Sequence, residues 1–136
     1  MTDEEKDLLL KDLSARLPHH CRVFYEYVDD LDDITYGYSV TLNTWCINEL
    51  DSDKAVVKPY LRPMSSMTEE EKREYNSFIK GQQPFDSDFS AYPIEYKFVY
   101  EFDIKNYIDW MNKHHFDYRG LIEKGLALIA PEGMYD

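Results

Sequence analysis

The chain has 136 residues, 43% hydrophobic and 15% aromatic, which fits one domain over 1–136 and is too apolar for wholesale disorder. Its 27 acidic and 15 basic side chains leave a net charge of -12, and no stretch gathers the cations into a patch, which speaks against direct nucleic-acid binding. The opening Met1-Thr2-Asp3-Glu4-Glu5-Lys6 has no basic leader and no apolar run approaches about 18 residues, so a cytoplasmic protein without a membrane segment is expected, with Cys21 and Cys46 reduced and buried.

Thr2 followed three residues later by Glu5 forms a capping box, which predicts a helix over Asp3–Arg16 ended by Pro18. Leu9, Leu10, Leu13 and Leu17 are expected to form its buried stripe, with Glu4, Lys11 and Asp12 in water. Aromatic and β-branched residues predict a strand over Cys21–Val28, an acidic turn over Asp29–Asp33, and strands over Ile34–Leu42 and Trp45–Leu50, together an antiparallel meander. In the second of these strands Tyr36, Tyr38, Val40 and Leu42 share one face.

Ala55–Tyr60 reads as a short edge strand, because Pro59 and Pro63 lack the N–H that regular pairing needs. An extended loop then runs to Met67. Thr68 and Glu71 repeat the capping box and predict a helix over Glu69–Ile79, closed by Gly81. Gln82–Tyr92 has loop composition, and strict alternation over Ile94–Phe102 predicts a strand.

Asp103 is positioned to cap a further helix whose Ile104, Tyr107, Ile108, Met111 and His115 keep core-face spacing, followed by a turn bracketed by Phe116 and Gly120. Leu121–Ile129 suits either a short helix ended by Gly125 or an extended Leu-Ala-Leu-Ile tail, and the helix is preferred. The last residues fray unless Met134 and Tyr135 dock. The expected fold is α+β, with a small antiparallel sheet of roughly three to five strands and about three helices packed on it.

Two clusters carry polar groups able to form a site. Lys58, Tyr60 and Arg62, with Ser65 and Ser66, concentrate basic, aromatic and hydroxyl groups in a proline-stiffened loop suited to recognition. His114, His115, Asp117, Tyr118 and Arg119 could in one reading form a general base oriented by Asp117 with Arg119 holding an anion, and in the plainer reading a helix end and its turn. Metal binding by His19, His20, Cys21, Cys46, His114 and His115 is disfavoured, because neighbours in a strand face opposite ways and no CxxC or HxxxH is present. No catalytic residue, metal or cofactor is assigned.

The runs Lys58-Pro59-Tyr60-Leu61-Arg62-Pro63-Met64-Ser65-Ser66-Met67-Thr68-Glu69-Glu70-Glu71 and Trp110 through His-His-Phe-Asp-Tyr-Arg-Gly-Leu-Ile to Tyr135 resemble a family of short uncharacterised proteins of gut Bacteroides-type bacteria and their prophages or mobile elements. The opening Glu4–Leu13 is similar as well, whereas Asp86–Phe102 lies outside the resemblance. The resemblance implies a source and compartment and no chemistry.

These observations lead to an expected non-enzymatic protein-interaction module serving a mobile element or its host, with an unidentified protein partner. Its binding surface is expected to combine Lys58, Tyr60 and Arg62 with His114, His115, Asp117, Tyr118 and Arg119. The alternatives are a small enzyme acting on an anionic substrate through the His/Asp/Arg cluster, and an acidic DNA mimic.

Overall fold

Thr2 opens the chain's first helix in the way its spacing predicts: its hydroxyl accepts from the Glu5 amide at 3.1 Å while the Glu5 carboxylate accepts from the Thr2 amide at 3.0 Å. The structure is a computed structural model that describes residues 1–76 and 104–135. The predicted end of the helix near Ile79, Gly81, the loop Gln82–Tyr92, the strand Ile94–Phe102 and the Asp103 cap lie outside the described residues. The chain divides into two compact units, Met1–Leu61 with Leu121–Asp136, and Arg62–Gly120.

The first unit holds α1 (Asp3–Arg16), β1 (Arg22–Val28), β2 (Thr35–Thr41), α2 (Thr44–Asn48), β3 (Ala55–Leu61) and β4 (Leu128–Ile129). Its sheet has the order β2-β1-β3-β4. The architecture is α+β with a small sheet and several helices. β1 pairs antiparallel with both β2 and β3, and β4 joins β3 in parallel, so the sheet is mixed where the sequence suggested antiparallel pairing throughout.

Three expectations are corrected here. Trp45–Leu50 is not a strand: the Asn43 side chain accepts from the Cys46 amide at 3.1 Å and caps α2, and this local bond overrides the strand preference of Trp45 and Ile47. Buried Leu42, Cys46 and Leu50 then recur every four residues, a helical spacing. The meander therefore gives way to a β1–β2 hairpin with β3 on the far side of β1. β3 is an interior strand rather than an edge, with Pro59 opposite Val23 on one neighbour, while β4 pairs at Tyr60 and Leu61, beyond the proline.

The segment after Leu121 forms turns and β4 rather than a short helix: the Gly125 amide bonds the Ile122 carbonyl and the Leu126 amide the Leu121 carbonyl, closing a single turn with Gly125 left-handed at φ 73°. The C-terminus is docked. The Tyr135 hydroxyl donates to the Tyr60 carbonyl at 2.7 Å and accepts from the Arg22 amide at 2.8 Å, tying the tail across β1 and β3.

The stripe of α1 is also corrected. Leu9 and Leu13 are buried, but Leu10 is 42% exposed, and the other buried members are Asp12 and Arg16. Positions 9, 12, 13 and 16 share one helical face, so the leucines that set the meridian carry the charged pair inward with them. Asp12 accepts from Arg16 Nε at 2.8 Å with both side chains fully buried. The core around them includes Cys21, Val23, Val57, Leu61 and Leu121.

The second unit contains α3 (Glu69–Asn76) and α4 (Ile104–Lys113), with Tyr75, Tyr107, Met111 and Phe116 fully buried beside Met67 and Trp110. Tyr75 meets Tyr107 and Trp110 edge to face, at centroid separations of 5.7 and 6.2 Å. Met64–Ser66 is one 3-10 turn inside the predicted extended loop.

Candidate functional site

Arg62 lies in the second unit, where its main chain pairs with the turn after α4: its amide donates to the His115 carbonyl at 2.8 Å and its carbonyl accepts from the Asp117 amide at 2.9 Å. That pairing directs the guanidinium onto Glu71, whose two oxygens each accept a bond of 2.7 Å. Glu71 also accepts from the Thr68 amide at 2.9 Å, so the capping box of α3 and the arginine fork share one carboxylate. The guanidinium stands 4.3 Å from the centroid of Phe116. Burial alone would raise the Glu71 carboxyl, but Arg62 and the Thr68 amide outweigh it and hold the group down at about 2.

His114 faces the same carboxylate, with Nδ1 3.4 Å from Glu71 and Nε2 3.9 Å from Glu74. Its ring lies 4.5 Å from Trp110, whose indole N–H donates to Glu74 at 2.7 Å. Burial lowers the His114 pKa below its ordinary value, against the upward pull of Glu71 and Glu74. From the position after α4, the imidazole thus bridges Glu71 and Glu74 of α3.

The other predicted residues of the turn after α4 pack within the second unit. His115 is buried in the left-handed region at φ 64° and turns the chain out of α4. Asp117 is buried through its main-chain bond to Arg62. The Tyr118 hydroxyl donates to Asn112 at 2.9 Å and accepts from Arg119 at 2.9 Å, with that guanidinium 4.7 Å from the Tyr118 ring. Lys58 and Tyr60 belong to the first unit. Lys58 lines an open hollow of about 610 Å³ together with Lys6, Asp51 and Lys124, and Lys6 is paired with Asp51. Among the described residues no group of three His, Cys, Asp or Glu side chains is placed to hold a metal ion, and no helix is long and apolar enough to cross a membrane.

The first unit presents an arrangement that reading by segments missed. The hairpin register sets Tyr25 opposite Tyr38 and Tyr27 opposite Tyr36, so four tyrosines share one face of β1 and β2. Tyr27 stacks on Tyr36 at 5.5 Å, Tyr25 meets Tyr38 edge-on at 5.6 Å, and Trp45 of α2 closes on Tyr25 at 4.6 Å. The Tyr25 hydroxyl donates to Glu49, and burial with this bond raises its pKa to about 12.

Tyr25 is buried, whereas Tyr36, Tyr38 and Trp45 are exposed at the rim. Nine large hydrophobic side chains are exposed among the described residues, and five of them (Leu31, Ile34, Tyr36, Tyr38 and Trp45) fall in one short stretch around this shelf. The available signal was the Tyr-x-Tyr spacing on both sides of a five-residue turn, which pairs the rings once a hairpin is assumed. Trp45 joins the shelf only because α2 is a helix, where its aromatic character favours a strand.

No protein-family model, curated protein or solved structure matches the chain.

Proposed function

We propose that this protein is a non-enzymatic protein-interaction module whose docking surface is the aromatic shelf of the first unit, from Leu31 to Trp45. The clustering of exposed rings there on an already packed aromatic base carries this reading. Rigid tyrosine and tryptophan side chains supply large contact area at little entropic cost and dominate binding energies. Arg62, His114, Asp117 and Arg119 support the second unit's own fold instead, since their polar groups are engaged within it. Association with a mobile element or its host is carried by the resemblance of the two quoted stretches.

The test is affinity capture from the native host with wild type, a Tyr36→Ala/Tyr38→Ala/Trp45→Ala variant, and Arg119→Ala. The expected result is a partner retained by wild type and Arg119→Ala and lost from the shelf variant, whose circular dichroism stays that of wild type. Identical partners for all three proteins would overturn the assignment.

A further inference from the structure

We infer that the shelf takes an extended, cationic segment of a partner protein, laid as an added strand along Thr35–Tyr38 with alternate Lys or Arg side chains over the rings of Tyr36 and Tyr38. The inference rests on the proposed interaction role and names the chemistry of the partner.

The edge is suited to strand addition. β2 is the end strand of the sheet among the described residues, and six of its seven residues are exposed. Edge strands are usually guarded by lysine, proline or inward charges, yet Thr35–Thr41 has none of these in a chain that is 31% charged. At the Thr41 end Arg22 bonds the Ser39 carbonyl and the Ser39 and Thr41 hydroxyls, which confines the added strand to Thr35–Tyr38. Main-chain pairing supplies affinity in this mode, and alternate side chains supply specificity.

Spacing and charge select the occupant. Tyr36 and Tyr38 are alternate residues on one face, hence about 7 Å apart, the repeat of alternate side chains on a strand beside them. Tyr27 and Tyr25 hold those rings from the β1 side, and the Tyr36 hydroxyl donates to Asp32 at 2.7 Å, fixing the outer ring. Electron-rich rings attract Lys and Arg, and Tyr36 and Tyr38 are both exposed. The turn entering β2 places Asp29, Asp30, Asp32 and Asp33 at the same end, with Lys54 the cation paired to Asp30. A second copy of the chain fits poorly, because it brings another net charge of -12 and no cation on its own β2.

The probe is a synthetic peptide of about eight residues alternating Lys with Val or Thr, compared with the same peptide bearing Glu for Lys and with one N-methylated at alternate amides. Binding is read from Trp45 fluorescence in a Trp110→Phe background and from amide shifts of Thr35–Tyr38. The expected result is saturable binding by the Lys peptide at about 10–100 μM, weakening about tenfold between roughly 50 mM and 500 mM salt, and at least about tenfold weaker in Tyr36→Ala/Tyr38→Ala. The Glu peptide should not bind, and N-methylation on the pairing edge should abolish binding.

Equal binding of the Glu peptide, indifference to N-methylation, or self-association through β2 in sedimentation would each overturn the inference. Absence of peptide binding, with a native partner still lost from the shelf variant, would overturn the cationic-strand inference and leave the interaction role standing.

Discussion

Arg62 and Glu71 are nine residues apart and meet through two parallel bonds of 2.7 Å, while the same carboxylate caps α3 through the Thr68 amide. One side chain thus closes the Pro63–Met67 loop and starts a helix. Arg62 is therefore structural, and its substitution tests folding rather than binding.

Arg62→Ala leaves a partly buried carboxylate without its fork and should destabilise the second unit by about 1–3 kcal/mol, as should Glu71→Ala. Arg62→Lys keeps the charge without the planar fork and should recover only part of the loss. Denaturant titrations of the single and double variants give the coupling, and strictly additive losses would show that the two side chains do not act together.

Acid should weaken the second unit in two stages. The folded His114 pKa is lowered from 6.5, so its contribution is present above that value and is lost as pH falls through and below it. The Glu71 carboxyl is lowered from 4.5 to about 2, so its contribution is complete above 4.5 and disappears as pH falls toward 2. Denaturation midpoints followed by Trp110 fluorescence in a Trp45→Phe background should show both stages, with His114→Gln removing the first and Glu71→Gln the second. A wild-type profile flat from pH 7 to about 3 would contradict this assignment.

The buried Asp12–Arg16 pair should respond unequally to single and paired replacement. Asp12→Ala removes the carboxylate from beside a buried guanidinium and should cost about 3–5 kcal/mol, whereas Asp12→Leu with Arg16→Met should be far milder or stabilising. A loss under about 1 kcal/mol for Asp12→Ala, measured by urea unfolding, would mean that the pair is hydrated in solution.

Tyr135→Phe removes one hydroxyl and leaves two main-chain groups to find other partners, the Arg22 amide and the Tyr60 carbonyl. The expected destabilisation is about 1–3 kcal/mol. Hydrogen exchange at the Arg22 amide should accelerate more than at the interior of α1, and unchanged exchange would show that the tail contributes nothing to β1.

Elements governed by neighbours in sequence were legible in the chain. Both capping boxes, the bounds of α1, the strands at Arg22–Val28 and Thr35–Thr41 and the acidic turn between them follow from caps, periodicity and turn residues within a few positions of one another. The Asn43 cap of α2 is not apparent in the sequence reading, because the aromatic and β-branched residues Trp45 and Ile47 favour a strand. The candidate site was harder to read. Arg62 looked uncommitted because Glu71 lies beyond a turn, and the Tyr25–Tyr38 and Tyr27–Tyr36 pairs exist only in the hairpin register.

By itself the sequence determined an α+β chain with capped helices, a tyrosine-rich hairpin and excess negative charge, because these depend on local bonds and on counting. Tertiary structure alone decided that Asp12 is buried, that β3 is interior, that Tyr135 is docked and that Arg62 turns inward to Glu71 while Tyr36 and Tyr38 stay at the rim. Each of these depends on which distant partner removes a side chain from water, and that partner lies outside any local window of sequence.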